Sequence, residues 1–338
     1  MESNNGNAPS ILFLGERDDA NLCNRAARAI NLLAGAQRAR VWTLTAHPYG
    51  YPEDLISEEP PPEALGDWDW ICSTGDGDYK ALARVMAPFD GRVKNVAMTH
   101  SGSAYRGNCN FFNRMDAVFG ASLQFIGSDS LHLADAAIPA VPWFSTCDDI
   151  EPAIEPAEYE LERVVVAHSP SDRGKKGTDE ILEALERERT DITESRRQYA
   201  EDGIEGAPPE MVIDLIEGVP FAEARARRAK AHILVDQLNP KIGGFGASAV
   251  EAMAAGCVVL GDTRHMAPDL AWERVGLVPP PIIEVRSAEE LEGEIDELLR
   301  HEGDLYWGRQ ASLDWAREYA APIPFARYFL RMLAEHAR

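Results

Sequence analysis

The sequence GGFGASAVEAMAAG at residues 243–256 is a glycine-rich turn that leads from a predicted strand into a predicted helix. Glycines let backbone amides approach a ligand closely, and a helix N-terminus adds unpaired N–H donors and a partial positive charge. A phosphate group fits such a turn, although a tight turn before a core helix would carry the same glycines. The residues predicted to contact the phosphate are Gly244, Phe245, Gly246, Ala247 and Ser248.

Glu251 lies about one turn into the helix that follows this glycine-rich turn. Its carboxylate would repel a phosphate, but it can accept hydrogen bonds from the hydroxyls of a ribose. Glu251 is therefore a candidate ligand for a nucleoside, and the alternative is a glutamate that is merely exposed on a helix.

A second loop, HSPSDRGKKGT at residues 168–178, also connects a predicted strand to a predicted helix. The chain has only six lysines, and two of them stand side by side in this loop, next to an arginine. Arg173 can grip phosphate oxygens with two hydrogen bonds, and Lys176 supplies a compact charge. The loop therefore predicts an anion site, with a basic loop in solvent as the alternative.

Segments rich in β-forming residues alternate with helical patterns along most of the chain, which is typical of α/β domains built on parallel sheets. The predicted strands cover residues 11–15, 40–45, 70–73, 94–98, 163–168, 211–216, 232–236 and 257–261, and the predicted helices cover 22–33, 178–188, 221–231, 247–255 and 288–301. Residues 140–160 are rich in proline and acidic residues and show little periodicity, so the domain junction is expected there. The predicted domains are residues 1–150 and 160–320.

Composition excludes several classes of protein. The chain has 338 residues, enough for two domains with hydrophobic cores, and its formal net charge of −23 repels the polyanionic backbone of a nucleic acid. The five cysteines include no CxxC pair, so neither a zinc cage nor a disulfide framework is indicated. We find no apolar run long enough to span a membrane and no export signal, which predicts a cytoplasmic protein.

Four ordered segments resemble one known family: HSPSDRGKKGT, VIDLIEGVP, AHILVDQL and GGFGASAVEAMAAGCVVLG, which fall between residues 168 and 261. Together they are similar to the donor-binding domain of family 4 glycosyltransferases of the GT-B fold. The resemblance implies an α/β architecture of two Rossmann-like domains with parallel sheets facing a central cleft. It also implies that a last helix, near residues 325–338, packs back on the first domain.

The same resemblance implies an activity, namely the transfer of a sugar from a nucleotide-sugar donor to an acceptor hydroxyl with retention of configuration. It implies no cofactor beyond that co-substrate and no required metal. In this family an Arg and a Lys hold the donor diphosphate, which maps to Arg173 and Lys176 as catalytic residues, and a carboxylate that maps to Glu251 binds the ribose. The acceptor stays open between a carbohydrate, a lipid-linked and a protein hydroxyl, and so does association with a membrane.

One departure from the family pattern concerns Gly243. The family often has a glutamate at this position, eight residues before the second one, and that carboxylate usually faces the donor sugar. Its loss keeps open a non-catalytic GT-B subunit that binds a sugar or a partner enzyme. A nucleotide-sugar epimerase of the same architecture is a separate, enzymatic alternative. A two-lobed solute-binding protein would share the sheets, but such proteins are exported.

The first half of the chain contributes further candidates. The loop THSGSAYR at residues 99–106 follows a predicted strand and resembles the histidine-containing acceptor-side loop of the family. His100 is therefore expected to contact the transferred sugar, with a structural histidine as the alternative, and Arg106 is expected to meet an anionic group of donor or acceptor. Gly15 ends the first predicted strand, and its loop is expected to border the donor phosphates or the acceptor. The sequence Asp-Gly-Asp at residues 76–78 matches a metal-binding pattern but is more simply a turn, so no metal site is predicted.

Overall fold

A computed structural model of the chain describes residues 8–74, 89, 94–99, 117–120, 140–142, 144–148, 150–152, 161–264, 266, 272–273 and 275–336. The chain forms two compact units. Unit 1 comprises Met1–Asp148, His265–Pro279 and Tyr319–Arg338, and unit 2 comprises Asp149–Arg264 and Pro280–Glu318. The last segment of the chain therefore belongs to the same unit as the first.

Unit 1 is built on a parallel sheet of seven strands in the order β3-β2-β1-β4-β5-β6-β7. The strands are β1 (Ile11–Gly15), β2 (Ala39–Thr43), β3 (Leu55–Ile56), β4 (Trp70–Thr74), β5 (Lys94–Thr99), β6 (Ala117–Gly120) and β7 (Ala140–Pro142). The run ILFL in β1 is fully buried because a parallel sheet covered on both faces needs continuous apolar strands. Between β3 and β4, a 3-10 helix covers Pro62–Leu65.

Two helices of unit 1 pack against each other, α1 (Leu22–Ala34) and the C-terminal helix, which we call α8 (Pro322–His336). The ring centroids of Phe13 in β1 and Phe329 in α8 lie 5.9 Å apart, so α8 also reaches the sheet. Burial of these side chains fixes the end of the chain on unit 1. A π-helical turn at Ala316–Ala320 precedes α8.

Unit 2 is built on a parallel sheet of five strands in the order β12-β11-β10-β8-β9. Its strands are β8 (Arg163–His168), β9 (Glu210–Leu215), β10 (Ile233–Val235), β11 (Val258–Gly261) and β12 (Ile282–Glu284). Its helices are α2 (Arg173–Lys176), α3 (Thr178–Asp202), α4 (Phe221–Arg228), α5 (Ala247–Ala254), α6 (Ala288–Arg300) and α7 (Glu302–Trp315).

The core of unit 2 lies between this sheet and the helices α3, α6 and α7. Helix α6 presents one apolar stripe to it, and the four residues of the stripe are at most 4% exposed: Leu291, Ile295, Leu298 and Leu299. The stripe confirms the helix that the sequence predicted over residues 288–301. Ser287 caps the helix by accepting a hydrogen bond from the Glu290 N–H at 3.1 Å.

The structure departs from the sequence predictions in the extent of some elements. Helix α3 continues beyond residue 188 to Asp202, because the charged segment holds no helix breaker until Gly203, whose left-handed backbone (φ 64°) ends the helix. Ala140–Pro142 is strand β7 although it lies in the predicted junction, since three apolar residues are too few to show a period. The short strand β12, which follows three prolines, was likewise not predicted.

Candidate functional site

The candidate site lies at the carboxyl ends of β8 and β10, which are neighbours in the sheet of unit 2. The chain passes from β8 to β9 on one side of β8 and then returns to β10 on the other side, so the strand order reverses at this point. Open parallel sheets bind their ligands at such a reversal. Val235 pairs with His168, so the loops that begin at Ser169 and Asp236 leave the sheet side by side.

The glycine-rich turn ends at Gly246, the N-cap residue of α5. A Cβ atom at this position would lie 3.3 Å from Nζ of Lys176, so glycine lets the ammonium approach the backbone closely. The first turn of α5, which is described throughout, contains no acidic residue. Because the first N–H groups of a helix have no partner within it, the turn and the ammonium present positive charge to one place.

Lys176 ends the short helix α2, and its Nζ donates to Oδ1 of Asp236 at 2.8 Å. Asp236 also accepts from Oγ of Ser248 at 2.9 Å and from the N–H of Gly246 at 3.2 Å. Burial opposes the charge on Asp236, but Lys176 and these hydrogen bonds outweigh it, so the pKa of this carboxyl lies below its ordinary value. The carboxylate therefore stays ionised and links the cationic loop to the glycine-rich turn.

Arg173 lies at the start of α2 and is much more exposed than Lys176. Its guanidinium donates to Asp179 at 2.6 Å and to Glu217 at 2.7 Å. The two carboxylates accept hydrogen bonds from the guanidinium N–H groups that a phosphate would use. An anion therefore has to displace at least one of these carboxylates. At an exposed site this exchange costs little, because solvent screens such ion pairs.

Glu251 lies one turn into α5 and forms an ion pair with Arg228, the last residue of α4. Only 10% of the Glu251 side chain and 6% of the Arg228 side chain are exposed. Arg228 also donates to Oγ of Ser169 at 2.9 Å, so it joins α4 to the loop after β8. The structure thus shows a carboxylate held in one orientation rather than one on a solvated helix face.

Two fully buried polar side chains stabilise the loops around the site. His168 lies 2.8 Å from the carbonyl of Val235 through Nδ1 and 2.9 Å from Oγ1 of Thr178 through Nε2, and burial lowers the pKa of this imidazole. Gln237 donates to the carbonyl of Gly244 at 3.0 Å, which fixes the glycine-rich turn. Both side chains meet backbone or hydroxyl partners, so they are structural rather than available to a ligand.

No protein-family model and no curated protein sequence matches the chain. Solved structures do match it. Anabaena Alr3699/HepE, crystallised with UDP-glucose, has a TM-score of 0.60 and 15% identity, with 96% of this chain and 99% of that chain covered. An alpha-glucosyltransferase in complex with UDP-glucose and DNA has a TM-score of 0.62 and 12% identity, with 95% of this chain and 98% of that chain covered. Sucrose-phosphate synthase from Thermosynechococcus elongatus has a TM-score of 0.58 and 12% identity, with 96% of this chain and 99% of that chain covered.

The chain has the GT-B fold. This confirms the architecture that the four ordered segments predicted, with one parallel sheet in each of two units. At 12 to 15% identity, the likeness to these glycosyltransferases concerns the fold.

In the first unit of this GT-B chain, Gly15 ends β1 at a second reversal of strand order, since β2 and β4 flank β1. The nearby N-terminus of α1 is already occupied: the carboxylate of Asp18 accepts from the N–H groups of Cys23 at 2.8 Å and Asn24 at 3.0 Å. Asn21, the N-cap residue of α1, makes no cap hydrogen bond from its side chain. A buried carboxylate at this helix end disfavours a phosphate there.

His100, Arg106 and the sequence Asp76-Gly77-Asp78 lie outside the residues that the structure describes. Within the described part of the chain, no group of three or more His, Cys, Asp and Glu side chains is arranged to hold a metal ion. The helices in that part include none with the length and apolar character needed to cross a membrane.

Three site residues were missed by the sequence analysis, namely Asp236, Gln237 and Arg228. A signal existed for the first two, because a polar pair directly after an apolar strand lies at the edge where ligands bind. Arg228 gave no signal in the sequence, because it is one of several arginines in a short helix. Only the structure shows that it is buried while the others are more exposed.

Proposed function

We propose that the chain is a retaining glycosyltransferase similar to family 4, which moves a sugar from a nucleotide-sugar donor to an acceptor hydroxyl. The observation that carries the proposal is the position of Lys176, whose ammonium lies against Gly246 at the N-terminus of α5. A fixed cation and a helix N-terminus at the reversal point of a GT-B donor-side sheet suit a diphosphate.

The proposed chemistry requires positive charge at the leaving group. The bond between the anomeric carbon and the diphosphate oxygen breaks, the acceptor oxygen bonds to that carbon, and the hydroxyl proton passes to the departing diphosphate oxygen. Negative charge grows on the diphosphate during this step, and preorganised cations and amides stabilise it. In the proposal Lys176, Arg173 and the N–H groups from Gly244 to Ser248 perform this task, so that no metal is required.

Glu251 is proposed to bind the ribose of the donor. Its ion pair with Arg228 orients the carboxylate, whose oxygens can accept hydrogen bonds from two hydroxyls. In the first unit, His100 is proposed to contact the transferred sugar and Arg106 an anionic group of donor or acceptor, while the loop after Gly15 is proposed to border the acceptor.

Two of the similar solved structures contain UDP-glucose, so a uridine donor is the first one to test. One of them also contains DNA. The formal charge of −23 disfavours a nucleic-acid acceptor here, and we propose a carbohydrate, lipid-linked or protein hydroxyl instead.

The proposal is tested by thermal unfolding of the protein with UDP-, GDP-, ADP- and dTDP-glucose and the matching diphosphates. One nucleotide is expected to raise Tm in a concentration-dependent way, as any ligand of the folded state does. The control is the Arg173→Ala/Lys176→Ala double variant, which should lose the shift. If no nucleotide shifts Tm and calorimetry detects no binding, the proposal is wrong.

A second candidate is a non-catalytic GT-B subunit, and Gly243 is the observation that favours it. The backbone there is left-handed (φ 46°), a conformation that strains any residue with a side chain, so the turn is built for glycine rather than for a glutamate facing the sugar. This candidate predicts weak nucleotide binding or none, and no release of the diphosphate from any donor. Release of diphosphate from a nucleotide sugar, with or without acceptor, excludes it.

A further inference from the structure

Asp236 is a buried carboxylate beside a site proposed to hold an anion. The side chain is only 2% exposed, and its three hydrogen-bond donors come from different parts of the loop system: Lys176 in α2, Gly246 at the N-cap of α5 and Ser248 in its first turn. A buried charge is costly unless it is paired, and a negative one here also repels a diphosphate. Its placement therefore needs a reason beyond local charge.

We propose that Asp236 is a positioning residue, which holds the Lys176 ammonium and the glycine-rich turn in the geometry that receives the diphosphate. The inference rests on the function proposed above and adds a residue that neither the motifs nor the comparisons assign. The carboxylate fixes the direction of a flexible side chain, so less conformational freedom is lost when the ligand binds. It also pulls the Gly246 N–H inward, which sets the entry of the chain into α5.

Gln237, the residue that follows Asp236, also holds the glycine-rich turn. The side-chain amide of Gln237 donates to the backbone carbonyls of Gly244 and Asp262, and its Oε1 accepts from the N–H of Asn239. The two consecutive side chains after β10 thus hold the turn at Gly244 and at Gly246. The strand end fixes both of them, because β10 is the middle strand of the sheet.

Asparagine cannot replace Asp236 in this arrangement. All groups that contact the carboxylate are donors, and both of its oxygens accept. An amide has one acceptor oxygen and one NH₂ donor, so in either orientation it sets a donor against Gly246 or against Lys176 and Ser248. Asp236→Asn therefore changes the geometry of the site while it keeps the size of the side chain.

The direction of the change in affinity tests the proposal. By calorimetry with UDP, GDP, ADP and dTDP, Asp236→Asn should weaken the tightest-binding diphosphate about tenfold or more, which is the size expected for loss of one charge-assisted hydrogen bond. If Asp236 were only a nearby negative charge, the same variant would bind the diphosphate more tightly. Unchanged or tighter binding overturns the proposal.

A double-mutant cycle shows whether the effect passes through Lys176. In a Lys176→Met background, Asp236→Asn should weaken binding by a smaller factor than in the wild type, because only the contacts with Gly246 and Ser248 are then left to lose. An equal loss in both backgrounds overturns the positioning role. The control is Asp214→Asn, which removes a carboxylate from the partly exposed ion pair with Arg227 in the same unit and should bind like the wild type.

A measurement without nucleotide distinguishes failure of the proposed function from failure of the role proposed for Asp236. The resonances of the Lys176 side chain, followed by NMR after ¹³C-methylation of the six lysines, should shift in Asp236→Asn and not in Asp214→Asn. If no diphosphate binds the wild type but the Lys176 signal shifts, the proposed function is wrong and the Asp236 contact stands. If the signal does not move, Asp236 does not position Lys176.

Discussion

The guanidinium of Arg228 and the carboxylate of Glu251 form an ion pair that is almost fully buried in unit 2. The two residues belong to different helices, α4 and α5, so the pair fixes one helix relative to the other. A buried pair of this kind contributes little net stability, but removal of one partner leaves an unpaired buried charge.

Arg228→Met should therefore lower the free energy of unfolding by about 3 to 5 kcal/mol, which urea denaturation measures. Arg189→Met is the matched control, because its ion pair with Glu186 is exposed, and it should cost about 0.5 kcal/mol or less. The double variant Arg228→Met/Glu251→Leu should recover much of the loss. A single variant as stable as the control would contradict burial of this pair.

Glu251→Gln keeps an acceptor for Arg228 but removes the charge that we propose binds the ribose. We expect the Kd of the tightest-binding nucleoside diphosphate to rise about tenfold, consistent with a hydrogen bond to a charged group. The preference of the wild type for this nucleotide over its 2′-deoxy form should shrink in the variant. An unaltered Kd and an unaltered preference would remove Glu251 from the site.

Lys176→Ala and Arg173→Ala should each lower the turnover of the nucleotide sugar by about a hundredfold to a thousandfold, because each removes a donor aimed at the leaving group. The two variants should differ in stability. Only Lys176→Ala leaves a buried carboxylate, Asp236, without its cation, so only this variant should lose several degrees in Tm. Arg189→Ala, on an exposed helix face, serves as the control. Wild-type turnover in both site variants would defeat the assignment.

Gly246→Ala tests the close approach of Lys176 to the turn. The backbone at Gly246 (φ −104°) suits alanine, so the effect comes from the new Cβ. This atom would lie 3.3 Å from Nζ of Lys176 and would push the ammonium slightly aside. Nucleotide binding should weaken while Tm changes little. The control Gly293→Ala meets no atom within 4 Å in helix α6 and should raise stability by about 0.5 to 1 kcal/mol. Equal affinities of Gly246→Ala and the wild type would exclude the close approach.

Glu188 in α3 makes stability depend on pH. Burial, together with the charges of Asp296, Asp191 and Glu292, raises the pKa of its carboxyl from 4.5 to about 7. The folded state therefore binds more protons than the unfolded state between these values, and stability falls as pH rises through this window.

Glu188→Gln should remove this part of the pH dependence. Urea denaturation at pH 5 and pH 8 should show that the wild type loses about 1 to 2 kcal/mol more than the variant, after allowance for solvent screening. Oε1 of Glu188 has no hydrogen-bond partner among the residues that the structure describes, so the neutral amide should be tolerated. Identical pH profiles of the two proteins would show that Glu188 is not perturbed.

The sequence by itself determined the α/β alternation, the apolar stripe of α6, the glycine-rich turn and the cationic loop. These features depend on neighbours a few residues apart, through periodicity, caps and the conformational freedom of glycine. They also carried the resemblance that predicted the GT-B fold.

Only the tertiary structure decided which side chains meet. Lys176 and Asp236 are 60 residues apart in sequence, and they touch because β8 and β10 are adjacent and in register. Arg228 reaches Glu251 for a similar reason, since α4 and α5 pack beside each other. Strand order and helix packing result from burial of the whole core, to which every element contributes, so local patterns do not specify these partners.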